Sequence, residues 1–405
     1  MNPIARNLYF LSIFLLVAGC APTTSSSSGS SLSSEAAWQI PSDSWSYSNR
    51  IMYVQDQSMA TGETAPVDTT TWGVGGTDIG APFYDPANER LYFAFGDTFA
   101  RAPMSGTWNS NAILYTTNKD FSNGIQWEGK LPGQNGATST VTPITNNVGN
   151  ANGWTPQPEL LTSPDVGTCI PTGAFVLNGT YYLFYMEVHE FSSTGEFSVF
   201  SNAVVKSTDS GVTWAKVTTL GWNAMKIDES EGDAPGFGQI FPLLADDGYV
   251  YIYGIPGGRS GGVQLGRVLS ENFEDPEAYE YYHLNRDQTI DWRAGTTGLK
   301  SIKGDESSYI VAPSCGELSI AYNDYLGKYI MTYLQNNSQI VMRRSATPWG
   351  TWSSSDAIVN QSNIDGLYGG FTHPVLSDHN GQRIYLLVSQ WLPFYNVHLV
   401  EVVFN

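Results

Sequence analysis

One pattern recurs five times along the chain and restricts its fold more than any other feature. Each copy has a small-residue lead-in, an apolar strand, a turn rich in Asn, Asp or Gly, an aromatic-rich strand and a third strand. The first is GGTDIGAPFYDPANERLYFAFGD followed by NAILYTTNKDF; the second is CIPTGAFVLNGTYYLFYMEV, then NAVVKSTDSGVTW. The third is GQIFPLLADDGYVYIYGIP, then VQLGRVLSENF; the fourth is CGELSIAYNDYLGKYIMTYLQ, then QIVMRRSATPWGTW. The fifth is YGGFTHPVLSDHNGQRIYLLVSQW, then NVHLVEVVF. No long segment has helical periodicity. Strands of this length between turn signals read as antiparallel sheet. Copies spaced roughly 50–95 residues apart read as blades around a common axis. The expected fold is all-β, a single-domain five-bladed β-propeller. NRIMYVQ, residues 49 to 55, is strand-like and is expected to supply the outer strand of the last blade, pairing the chain ends.

The segment before the repeats has a different character. Residues 1–19 carry one arginine and then an apolar run of about a dozen residues, too short to span a bilayer and suited to an export signal. The run ends in Leu16-Val17-Ala18-Gly19-Cys20, which resembles the bacterial lipoprotein box; that resemblance implies cleavage before Cys20 and lipidation of the cysteine. Residues 20–35 form a Ser-rich tether with too little apolar content to fold. The propeller is expected over 36–405, anchored at the cell envelope by the lipid alone, at the outer membrane in a two-membrane cell.

Charge excludes some partners. With 19 basic and 38 acidic residues, the chain carries a formal charge of −19. That argues against nucleic acid and against electrostatic docking on anionic lipid. After Cys20 only Cys169 and Cys315 remain, expected as two buried thiols, with a single bridge as the alternative. No His/Cys cluster has zinc spacing and no EF-hand loop is present. No cofactor is expected, and the chain is expected to be a monomer.

The first hairpin carries a carboxylate at each end, Asp78 and Asp97, equally far from the turn at Ala87-Asn88. A regular register makes them cross-strand partners roughly 4.5–5.5 Å apart. Like charges opposite one another destabilise a sheet, so the pair has no structural rationale. Two carboxylates at a propeller mouth split their pKa values, as glycoside hydrolysis requires of its acid and its base or nucleophile. The competing interpretation is that each Asp bonds nearby backbone N–H groups at a strand end. Alignment of the copies brings further candidates for substrate binding or pKa tuning. Glu317 and His373 are aligned with Asp78, and Glu187 with Asp97. Arg259 lies in the glycine-rich PGGRSGG loop, Tyr368 in LYGGFTHP, and Trp391 and Tyr395 in SQWLPFYN, where they suit stacking on sugar rings. Ser207 to Trp214 fit the Asp-box pattern of sialidases and other propellers, expected here as a structural turn.

In this order, GGTDIG, FGDTF, PTGAF, GELSI, LYGGFTHP and SQWLPFYNV resemble a family first catalogued as a domain of unknown function, whose members are assigned as endo-D-arabinanases. The resemblance runs from about residue 70 to the last strand. It implies a five-bladed propeller glycoside hydrolase acting on the D-arabinan of arabinogalactan and lipoarabinomannan, with inversion favoured. It implies that Asp78 and Asp97 are the catalytic pair. Related propeller glycosidases sometimes hold a structural ion, so an axial Ca²⁺ is compatible with the sequence but not demanded by it. The segment 130–168 departs from the pattern as an insertion, expected as a lid or subsite wall. Two other classes compete. A sialidase would need an arginine triad, which so few arginines do not favour. A non-catalytic glycan-binding lipoprotein would bind polysaccharide and release no reducing ends.

Overall fold

Each repeat folds into antiparallel strands, and pairing of Gly261–Leu269 with Tyr309–Asn323 joins the third and fourth repeats into one nine-stranded sheet. The computed structural model describes residues 40–45, 50–132, 167–191, 197–226 and 230–405. The expected signal, Cys20, the tether and all but the ends of the 130–168 segment lie outside the described residues.

Blade 1 is built from Ile79–Asp85, Arg90–Phe95, Ala112–Thr116 and Gly129–Lys130, in spatial order. Blade 2 comprises Thr168–Leu177, Thr180–Phe191, Phe197–Ser207 and Ala215–Asn223. Blade 3 begins with Gln239–Leu244, Tyr249–Ile255 and Gly261–Leu269, extended by Glu280–Leu284 and Ile290–Ala294. Blade 4 runs from Tyr309–Asn323 through Lys328–Gln335 and Gln339–Ser345 to Asp356–Asn360. Blade 5 comprises Leu367–Phe371, Arg383–Gln390 and Asn396–Phe404. The first strand of every blade contacts the first strands of both neighbours, and blade 5 contacts blade 1, which closes the ring.

Closure is covalently distant. Ile51–Met59 pairs antiparallel with Asn396–Phe404, from Ile51 opposite Phe404 to Met59 opposite His398, and completes blade 5. Glu401, buried in that joint, accepts from the Tyr53 hydroxyl at 3.0 Å and the Gln57 amide at 2.5 Å, and pairs with Arg383 at 2.8 Å. A buried charge needs such partners, because removing one leaves the desolvation cost uncompensated.

Aromatic residues fill the spaces between blades. Phe83 and Tyr92 of blade 1 stack on each other and meet Tyr181 of blade 2 edge-on. Phe184 and Trp222 of blade 2 join Phe273 and Tyr279 before blade 3 closes over them. Each such side chain contributes roughly 1.5–3 kcal/mol when fully buried. The Asp-box is a turn: Asp209 accepts from Thr213 N–H and Oγ, Gly211 adopts φ +86°, and Trp214 donates to the Gly211 carbonyl while packed in the blade 1–2 core. Cys169 and Cys315 are buried in blades 2 and 4 and form no disulfide, and burial pushes the Cys315 thiol up to about 12.

Deleting residues up to Ala60 removes the closing strand and two partners of Glu401. The truncated protein is expected to melt at least ~5 °C below the full chain in calorimetry. An unchanged melting temperature would show that the ring does not depend on this joint.

Candidate active site

The hairpin of blade 1 does not keep a regular register. Ala81 faces Ala94, but Ile79 faces Phe95, so Gly80 is an extra residue with φ +78°. Farther out, Gly76 faces Phe99, so the opposite strand takes up an extra residue between Phe95 and Phe99. The two bulges compensate. They correct the expected pairing of the two aspartates: the backbone partner of Asp78 is Gly96, whose N–H donates to the Asp78 carbonyl at 3.1 Å. Asp97 lies on the displaced stretch and is turned toward blade 2. Bulges at strand starts re-aim side chains, and the first strands of blades 2, 4 and 5 carry register breaks near the same end.

Asp78 is 6% exposed. Its Oδ2 accepts from the Tyr368 hydroxyl at 2.8 Å, and Oδ1 has no partner among the described residues. Oδ1 packs against the Gly96 Cα, where a Cβ would come within 2.3 Å of it. Burial, the Asp97 charge and the Glu317 charge raise Asp78 to about 7, against the pull of Tyr395 and Tyr368. Burial and the Asp78 charge hold both phenols far above the ordinary tyrosine range, so they remain neutral donors.

Asp97 is half-buried. Its Oδ1 accepts from Thr168 Oγ1 at 2.7 Å and from Trp108 Nε1 at 3.2 Å. Burial raises it to about 6, and the two donors limit the rise. The electrostatic coupling is one-sided for a simple reason. Asp97 loses its proton first, while Asp78 is still neutral; Asp78 must then ionise beside an existing negative charge.

Behind Asp78 lies a second layer. Arg259 donates from Nε to Glu317 Oε1 at 2.8 Å, with Nη2 2.7 Å from the same oxygen. The guanidinium also lies over the Tyr368 ring at 4.7 Å. Arg259 has φ +64° and follows Gly258 at φ +81°, and its carbonyl accepts from Ser314 Oγ at 2.7 Å. Thus Asp78, Tyr368, Arg259 and Glu317 form one connected group drawn from blades 1, 3, 4 and 5.

The family described as "Domain of unknown function (DUF4185)" matches residues 64–401. This chain belongs to it. "Notoamide biosynthesis cluster protein J" of Aspergillus sp. (strain MF297-2) is 27% identical over 342 residues, covering 79% of this chain and 80% of that protein. A solved structure from Bacteroides ovatus ATCC 8483 superposes with a TM-score of 0.56 at 14% identity, covering 82% of this chain and 87% of that one. The GH43 BlXynB protein from Bacillus licheniformis aligns with a TM-score of 0.47 at 12% identity; 82% of this chain spans 55% of that one.

Two residues expected at this DUF4185 site, His373 and Glu187, stand elsewhere. His373 lies against Tyr84, at the turn end of the blade 1 strand and away from Asp78; burial pushes it down to about 4, and Nδ1 accepts from Val375 N–H at 3.1 Å. The slot assigned to it belongs to Tyr368, five residues earlier. Glu187 is fully buried within blade 2, where Ser201 Oγ donates to it at 2.7 Å and Lys216 lies 3.9 Å away. Partners on the third and fourth strands of its own blade hold it there. Trp391 stands 42% exposed on the loop that carries Tyr395 inward, with its indole beside Gly366. Tyr395, read in the sequence as a stacking residue, instead acts on Asp78. Trp108 and Thr168 were not anticipated. The signal for Trp108 was an aromatic residue in the polar run RAPMSGTWN. Among the described residues, no group of three or more His, Cys, Asp or Glu could hold a metal ion.

The raised carboxyls fix a sign for stability. From about pH 4 upward the unfolded chain ionises Asp78 while the folded chain keeps it protonated, so folding loses stability until the pH passes about 7. Asp78→Asn is therefore expected to be more stable than wild type at pH 8 by on the order of 2–4 kcal/mol, with the gain gone near pH 4. Denaturant titrations at the two pH values measure it, and a pH-independent difference would contradict the raised pKa.

Proposed function

We propose that this protein is a glycoside hydrolase using Asp78 as general acid and Asp97 as general base. The observation that carries the reading is a pair of carboxyls whose surroundings separate them: one buried and held protonated to about 7, the other half-open and bonded by two donors. Tyr368 donates to Oδ2, and the protonated Asp78 carboxyl carries the proton that the leaving oxygen needs. That proton passes to the glycosidic oxygen as the bond to the anomeric carbon breaks. Both donors to Asp97 act on Oδ1, so Oδ2 takes a proton from water as the water oxygen bonds to the anomeric carbon. The aspartates end with the proton exchanged between them, and solvent resets them.

The substrate we propose is a furanoside polysaccharide, cut internally, of the D-arabinan type found in arabinogalactan and lipoarabinomannan. The family resemblance supports that choice and the inverting course. The resemblance to a lipoprotein box supports a site of action at the cell envelope, with the chain acting as a monomer. A glycan-binding protein without activity is the competing reading, and it gives no account of two carboxyls tuned apart.

Reducing-end release from purified mycobacterial arabinogalactan tests the proposal. Wild type is expected to release oligosaccharides, and Asp78→Asn and Asp97→Asn to lose at least ~10²–10⁴-fold in rate with unchanged affinity. Binding without release by folded wild type would favour the glycan-binding reading. The profile of kcat/KM against pH is expected to be a narrow bell with limbs near the values of about 6 and about 7. Tyr368→Phe removes a bond that favours the ionised form, so its alkaline limb is expected to move up.

A further inference from the structure

The floor of the axial funnel holds polar atoms that the described residues leave without partners. The funnel there holds a cavity of about 10 Å³, lined by residues from the first strands of all five blades, including Ile79, Thr172, Gln239, Glu317 and Phe371. Gln239 and Glu317 are each 4% exposed. Arg259 occupies only Oε1 of Glu317. Glu317 Oε2 has no hydrogen-bond partner among the described residues, and neither has Gln239 Nε2. The other walls are largely aliphatic and aromatic, with Phe241 and Leu318 beside Ile79 and Phe371.

An unpaired buried donor and an unpaired buried acceptor each cost about 1–3 kcal/mol. Native interiors leave few such atoms, and those that remain call for a functional account. Here the two residues that carry them line one cavity, together with Ile79, which follows Asp78. A hydroxyl satisfies both at once, because its hydrogen donates to the carboxylate and its oxygen accepts from the amide. An anion would meet the Glu317 carboxylate. A cation would meet the Arg259 guanidinium and the Gln239 N–H. A space of about 10 Å³ holds roughly one water-sized group, so it suits a single hydroxyl and not a ring or an oligosaccharide.

We infer that Gln239 and Glu317 form a subsite that takes one hydroxyl of the bound sugar at the axial end of the funnel. The inference rests on the glycoside hydrolase reading and adds which substrates the site selects. Neither residue touches the reacting atoms; they fix which sugar is seated when Asp78 and Asp97 act. A site built to bond a hydroxyl rejects an analogue lacking it, because its own polar atoms are then stranded.

The test uses calorimetric binding to the Asp97→Asn protein, so that ligand is held without turnover. The probes are an α-linked D-arabinofuranosyl tetrasaccharide and analogues that each lack one hydroxyl. One analogue is expected to bind at least ~10-fold more weakly than the parent. Gln239→Met, which keeps the volume and leaves the Arg259 pair intact, is expected to reduce that penalty to less than about twofold. Glu317→Gln, added separately and checked by melting curves, is expected to do the same. If the parent binds but no analogue is penalised, or the penalty survives Gln239→Met, the cavity holds only a buried water and the inference fails while the hydrolase reading stands. If the folded protein neither binds the parent nor, as wild type, cleaves arabinan, both fall together.

Discussion

A carboxyl placed where five strands converge, away from water and short of one hydrogen-bond partner, keeps its proton or destabilises the fold. That constraint on Asp78 organises the rest of the site. Tyr368 and Tyr395 come from blade 5 to act on it. Arg259 is held off its oxygens by Glu317, which takes the guanidinium on Oε1 and leaves its positive charge stacked on Tyr368. Had the arginine reached Asp78 directly, the carboxyl would have been driven below the usual carboxylate range. The ion pair therefore holds the guanidinium on Glu317 and not on Asp78.

Gly80 and the extra residue near Asp97 do the geometric part. A regular hairpin would set two like charges face to face on one surface of the sheet. The compensating bulges turn one carboxyl inward against Gly96 and the other outward to Thr168 and Trp108. The environments then differ, and so do the proton affinities. Blade number and strand pairing supply only the frame on which this difference is built.

Much of this was legible in the sequence because it depends on local pattern. Five alternations of apolar strand and turn specify five blades, and NRIMYVQ reads as a strand without a neighbour. Asp78, Asp97, Arg259, Glu317 and Tyr368 all stand out in the sequence, four of them next to a glycine. What was not legible depends on register and on contacts between distant segments. Symmetry about the turn assumed no bulge, and a glycine at 80 does not announce one. Glu187 aligned with Asp97 by position, yet alignment is blind to which side a side chain takes after a register break. His373 was placed by copying Asp78's slot onto a run where a tyrosine comes first. Trp108 lies in the connection between the second and third strands of blade 1, and Thr168 at the very start of blade 2, positions that the repeat pattern does not mark.

The ring's joint between Ile51–Met59 and Asn396–Phe404 also bears on how the chain reaches its fold. Its partners stand almost the whole ring apart in sequence, so this contact forms late, when the intervening blades already hold the two strands near each other. Until then NVHLVEVVF is an unpaired edge, β-branched and strongly apolar, of the kind that adds strands from other chains. Glu401 interrupts that run. In the finished ring its charge is fully occupied by Tyr53, Gln57 and Arg383. In the unfinished ring the same charge is a gatekeeper, making the open edge a poor template for aggregation during the interval when it is exposed.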